Sequence, residues 1–184
     1  MNVRIIDNFF DYPDKLRIDA LQSKYNNSFT GSGWLGHRSY SITTEKFSTM
    51  FTDMVHSHIP EIKYDERGNV IKFFCCFHYT LSQTKLEAPF NFDEYKIHSD
   101  GCEYAGVVYL TPNPPTNSGT SFYNEFNELT YSVENKFNRL ICYPGTINHA
   151  PTDLFGDSQV NGRLVLTFFS DPIIENSNIM TGEA

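Results

Sequence analysis

From residue 70 onward the chain consists of short runs rich in β-branched and aromatic residues, each closed by a turn signal. That pattern limits the possible folds more than any other feature. The runs are VIKFFCCFHYTL at 70–81, EYKIHSD at 94–100, EYAGVVYL at 103–110, GTSFY at 119–123, LTYSV at 129–133, NRLICY at 138–143, a short piece around INHAP at 147–151, and GRLVLTFF at 162–169. Eight strand candidates at this spacing predict a β-sandwich or jelly roll. Sixteen Phe and eleven Tyr against one Trp suit half-buried pleated surfaces.

Before residue 70 the periodicity is helical. After a short apolar stretch at 3–10, DYPDKLRIDALQSKY predicts a helix, with Asp11 as its cap, Pro13 in its first turn and Leu16, Ala20 and Leu21 as its apolar stripe. The glycine-rich stretch at 26–40 reads as a loop. Phe47, Met50, Phe51, Met54 and Val55 recur at helical spacing over 44–59, and Pro60 stops that helix. DERGN at 65–69 is a turn. Helices first and strands second give an α+β chain with its helices packed on one sheet. No linker divides it, so residues 1–184 are expected to form one domain, with a helical part at 1–65, a strand core at 70–170 and a short tail at 171–184.

Charge and cysteines exclude several functions. A net charge of −8 disfavours long nucleic acid and anionic membrane as partners. No apolar run approaches the ~20 residues of a membrane span, and the N-terminus has no signal-peptide pattern. Cys75, Cys76, Cys102 and Cys142 form no C-x-x-C pair and read as buried thiols of a cytoplasmic protein.

The chemistry gathers around His98 and Asp100. Two residues apart on a strand, they face the same way and offer two of the three ligands of a 2-His-1-carboxylate metal site. His149 follows in CYPGTINHAPTD, and Arg163 opens the last strand. Strand alternation puts Arg163, Val165, Thr167 and Phe169 on one face and Leu164, Leu166 and Phe168 on the other. With both faces largely apolar, the guanidinium is expected to be semi-buried and to need an anion. The remaining histidines carry less. His56 and His58 diverge on a helix, His37 lies in the polar stretch, and His78 is a strand residue.

His98-x-Asp100, then His149, then Arg163 on the final strand resembles the Fe(II)- and 2-oxoglutarate-dependent dioxygenases, in particular the prolyl-4-hydroxylase-like branch. The resemblance covers roughly residues 70–170 and includes Phe92 to Lys96 before His98, the Gly106-Val-Val-Tyr-Leu110 strand and Gly119-Thr-Ser-Phe-Tyr123. The opening, IIDNFFDYPDKLR, is similar to the start of small members of the superfamily. The resemblance implies a double-stranded β-helix of the jelly-roll or cupin kind. It implies Fe(II) held by His98, Asp100 and His149, with three positions left open. Two of these would take 2-oxoglutarate, whose distal carboxylate Arg163 would grip, and O2 would enter last. Tyr109 would be a second donor to that carboxylate. Many relatives carry Ser or Thr two residues after the arginine, whereas this chain has Val165, so either Tyr109 or Thr167 is expected to compensate or the co-substrate to sit slightly differently.

The implied reaction couples decarboxylation of 2-oxoglutarate, giving succinate and CO2, to oxidation of a substrate C–H bond, with ascorbate as a reductant. The motifs leave the substrate open between a small molecule and a protein side chain, and leave the oligomeric state open. The loops at 26–40, with Trp34, His37 and Arg38, and at 111–119 are candidates for shaping the substrate pocket, and Tyr95 and Asn148 for supporting the ligands. Two other readings compete: a non-catalytic jelly roll, and a cupin-type metalloenzyme that does not use 2-oxoglutarate.

Overall fold

The computed structural model describes residues 2–27, 36–40, 42, 44–84 and 96–170. Among these are ten strands, two helices and a 3-10 turn, the last seven strands following the turn. The strands are Arg4–Ile6 (β1), Tyr25–Asn27 (β2), His37–Ser39 (β3), Phe73–Thr80 (β4), Tyr104–Tyr109 (β5), Thr120–Tyr123 (β6), Leu129–Val133 (β7), Leu140–Pro144 (β8), His149–Pro151 (β9) and Arg163–Ser170 (β10). The helices are Pro13–Gln22 (α1) and Glu45–His58 (α2), and Pro60–Ile62 forms the 3-10 turn. A seven-stranded sheet runs β1-β8-β5-β10-β4-β3-β2, and a three-stranded sheet runs β7-β6-β9. Every pairing is antiparallel.

The alternation read in the last strand holds across the large sheet. Phe73, Cys75 and Phe77 of β4 and Leu164, Leu166 and Phe168 of β10 share one apolar core with Leu16 and Ala20 of α1 and Phe51 and Val55 of α2. The two helices therefore cover one face. The other face carries Val107 and Tyr109, Ile141 and Tyr143, and Val165, which pack with Phe122 and Val133 of the small sheet. The central strands β5, β8 and β10 thus each contribute one row to a helix-backed core and one row to an interior between the sheets.

Four expectations need amending. The helix cap is Tyr12, not Asp11, and no side chain caps it. Pro13 pushes the residue before it out of the α region, so the boundary falls at Tyr12. The stretch at 26–40 is not all loop, because β2 and β3 extend the sheet beyond β4, while residues 28–35 lie outside the described residues. In the 94–100 run, residues 94 and 95 lie outside the described residues and 96–100 form no strand; His98 makes a single bridge to His149. Strands also precede the helices, since β1 pairs with β8 at the opposite edge of the large sheet. The tail at 171–184 lies outside the described residues. Among the described residues no helix is long and apolar enough to cross a membrane.

Candidate metal centre

His98 and His149 meet through backbone first. The His98 amide donates to the His149 carbonyl at 3.0 Å and the His149 amide returns the bond at 2.8 Å. This bridge sets the chain at 98 alongside β9, on the edge of the small sheet. The Asp100 amide then donates to Gly145 at 2.8 Å. Gly101 turns the chain away with φ of 64°, a region that favours glycine.

The side chains converge. His98, Asp100 and His149 each present a ligand atom, all within 4.8 Å of one another. His98 Nε2 lies 3.7 Å from Asp100 Oδ1, and His149 Nε2 lies 3.3 Å from Asp100 Oδ2. On the far side of each ring, Nδ1 faces a carbonyl two residues upstream, Lys96 at 2.8 Å for His98 and Ile147 at 2.9 Å for His149. A nitrogen facing a carbonyl must carry the proton, so in each neutral ring Nε2 is left as an acceptor. Two lone pairs and a carboxylate therefore point at one another, and Asp100 Oδ2 is buried without a hydrogen-bond partner. Converging acceptors with no donor fit a cation between them, and imidazole with carboxylate suits a divalent transition metal. Burial pushes the His149 pKa down to about 3, with His98 and Arg163 adding to the effect. It pushes the Asp100 carboxyl up, against the pull of His98 and Arg38.

Arg163 is more deeply enclosed than its sequence predicts, at 4% exposure. Its Nη2 donates to Thr120 Oγ1 at 3.3 Å and to the Gly119 carbonyl at 3.5 Å, and its Nε is buried without a partner. Its guanidinium carbon lies 5.6 Å from the centre of the Tyr109 ring. The Tyr109 hydroxyl shares a 2.7 Å hydrogen bond with Thr120 Oγ1. Among the described residues no carboxylate pairs with Arg163. Burial lowers the Arg163 pKa and raises that of Tyr109.

The other expected residues take different places. Thr167 shares the inner face of β10, but its hydroxyl donates to the Cys76 carbonyl at 3.0 Å and lies 3.0 Å from Cys76 Sγ. Asn148 donates to Asn127 on the β6–β7 turn at 3.2 Å. Trp34 and Phe92 to Tyr95 lie outside the described residues. Thr120 and Tyr143 were not picked out by their sequence positions. The Tyr143 ring packs 4.6 Å from that of His149, and both Asp100 and Arg163 act on its phenol electrostatically. Their only sequence signal is alternation: each falls on the inward face of its strand.

No protein-family model matches the chain, and no curated protein matches it by sequence. Solved structures do match. A Pseudomonas putida prolyl-4-hydroxylase superposes with a TM-score of 0.56 over 92% of each chain at 14% identity. The chain shares its fold with the 2OG-Fe(II) oxygenases. An oxidoreductase of that family from Burkholderia pseudomallei matches with a TM-score of 0.54 at 12% identity, over 92% of this chain and 84% of that one. HygX from Streptomyces hygroscopicus, solved with nickel and 2-oxoglutarate, matches with a TM-score of 0.59 at 9% identity, over 94% and 83%. A second HygX structure also holds hygromycin B.

Proposed function

We propose that this chain is an Fe(II)- and 2-oxoglutarate-dependent oxygenase, a single domain whose two sheets form a double-stranded β-helix. The observation that carries the reading is the set of three converging acceptors, His98 Nε2, His149 Nε2 and the Asp100 carboxylate with its partnerless Oδ2, in a chain whose buried Arg163 guanidinium pairs with no carboxylate among the described residues. In HygX the same fold holds a metal and 2-oxoglutarate. When bound, iron and 2-oxoglutarate supply with O2 the oxidising chemistry, releasing succinate and CO2 as a substrate C–H bond is hydroxylated.

The chain's own residues hold and orient. His98, Asp100 and His149 are the metal ligands, and the Lys96 and Ile147 carbonyls fix the tautomer of each imidazole. Arg163 grips the distal carboxylate through parallel N–H donors. Tyr109 donates beside it, held in place by Thr120. Tyr109 lies opposite Val165 in the β5–β10 register, so its phenol supplies the hydroxyl that Val165 lacks. Thr167, committed to Cys76, is not that donor in this reading. Phe122 and Tyr143 wall the interior beside His149 and keep water from it.

The test is succinate release from 2-oxoglutarate with Fe(II) and ascorbate, with and without pools of candidate substrates. Release that requires Fe(II) and disappears in His149→Ala supports the reading. Metal binding without succinate favours a cupin-type enzyme that does not use 2-oxoglutarate, and absence of both leaves a non-catalytic scaffold.

A further inference from the structure

The interior between the sheets holds two buried phenols that differ in one respect. Tyr109 shares a hydrogen bond with Thr120. Tyr143 is 3% exposed, and among the described residues its hydroxyl has no hydrogen-bond partner. Asp100 Oδ2 does not accept from it, since that oxygen is itself partnerless. Packing fixes the ring. Tyr143 lies opposite Ala105 in the β5–β8 register, on the inner face of β8. Its ring centre is 4.6 Å from that of His149 and 5.0 Å from that of Phe122. Toward the other end of the interior it shares a cluster with Tyr109 and Val165. The Arg163 guanidinium carbon lies 5.6 Å from the Tyr109 ring centre. Tyr143 therefore stands between the metal cluster and the buried guanidinium, with His149 against one side and the Tyr109 cluster on the other.

A wall beside His149 needs no hydroxyl. Phe122 presents its ring to the same imidazole, centres 6.4 Å apart, without one. Burying a hydroxyl with no partner is costly, so a phenylalanine at 143 would fill the wall at less cost. The hydroxyl answers instead to a group that binds between the cluster and Arg163. A phenol is protonated at neutral pH and offers one donor. On the oxygenase reading above, on which this inference rests, 2-oxoglutarate spans that interval. It offers acceptors at two places, the keto-acid head at the metal and the distal carboxylate at Arg163. Arg163 and Tyr109 serve the distal end. We propose that the Tyr143 hydroxyl donates a hydrogen bond to the keto-acid head of 2-oxoglutarate and so fixes how that head sits on the metal. A donor bonded to an ionised carboxylate inside a protein makes a stronger bond than a neutral pair does. A ring clamped by Phe122 and His149 delivers that donor already oriented.

Calorimetric titration of the Mn(II)-loaded protein tests this with two ligands, 2-oxoglutarate and oxalate. Oxalate presents a chelating head and no distal carboxylate. Tyr143→Phe removes one oxygen atom and keeps the ring. It is expected to weaken both ligands by a similar factor, about tenfold. Mn(II) affinity stays at the wild-type value, and the melting temperature of the metal-free protein is equal to the wild type or higher. Arg163→Met weakens 2-oxoglutarate and leaves oxalate unchanged. Tyr12→Phe, on a ring 79% exposed, changes none of these. A loss of 2-oxoglutarate affinity under about threefold in Tyr143→Phe overturns the proposal. Oxalate that fails to bind the wild type, or binds the variant equally well, overturns it too, because the donor then does not serve the head. A lowered melting temperature or a variant that fails to fold does the same, since the hydroxyl then serves the fold. Absence of Mn(II) or 2-oxoglutarate binding in the wild type defeats the oxygenase reading itself, whereas both bound equally by wild type and Tyr143→Phe defeats only the role of this hydroxyl.

Discussion

Arg163 carries a charge into surroundings that penalise it. A buried guanidinium loses its hydration, and two neutral acceptors, a hydroxyl and a carbonyl, return only part of that. Arg163→Met should therefore leave the melting temperature of the metal-free protein unchanged or raise it, while weakening 2-oxoglutarate binding at least about tenfold. Thermal melts and calorimetric titration of the same variant read both sides, and a large loss of stability with 2-oxoglutarate affinity intact would contradict the assignment. Thr120→Val tests the support of Tyr109. It should weaken 2-oxoglutarate less than Arg163→Met does, because it removes one shared hydroxyl, and equal losses in a titration would count against it. Arg163 was legible in the sequence because a charge opening an apolar strand is conspicuous. Thr120 was not, because its role exists only where Tyr109 and Arg163 meet it from two other strands.

At the scale of elements, β3 shows where sequence pattern stops being informative. His37, Arg38 and Ser39 follow a glycine-rich polar stretch and look like loop, and what makes them a strand is pairing with β4 and the stacking of His37 on Tyr79. Gly36 makes the approach possible. Its φ is +89°, and a Cβ there would stand 2.5 Å from the Tyr79 carbonyl. Gly36→Ala should destabilise the protein by about 2 kcal/mol, measured by denaturant unfolding, and the idea fails if stability is unchanged. At the other edge, Asp7 accepts from Arg139 at 2.6 Å and from Lys136 at 2.7 Å, tying the exit of β1 to the segment before β8. These partners hold its pKa at about 2, below the usual 3.8. Its contribution is therefore present above 3.8 and lost as pH falls through about 2. Asp7 is part-exposed, so Asp7→Asn should cost under about 1 kcal/mol near neutral pH.

For the molecule as a whole, most of the architecture and the residues that converge as candidate metal ligands were readable from residue types in order: strand runs, His98-x-Asp100 and His149. The histidine tautomers and the added edge strands were not, since both depend on backbone groups brought together only by folding. Burial also gives the protein a pH dependence. Unfolded His149 takes up a proton near 6.5, whereas the folded residue resists until about 3, so stability falls as pH drops through that window. Asp100, raised above 3.8, acts in the opposite sense and costs stability as pH rises above that value. Denaturant melts of metal-free protein should show the loss between about pH 6.5 and 4, and His149→Gln should flatten it. The central claim is that one divalent metal and one 2-oxoglutarate assemble on His98, Asp100, His149 and Arg163. Calorimetric titration of Mn(II), then 2-oxoglutarate, tests it most directly. The account predicts one Mn(II) per chain, lost in Asp100→Ala, and 2-oxoglutarate binding that requires both the metal and Arg163. Mn(II) binding undiminished in Asp100→Ala, or 2-oxoglutarate binding indifferent to metal and to Arg163, would contradict it.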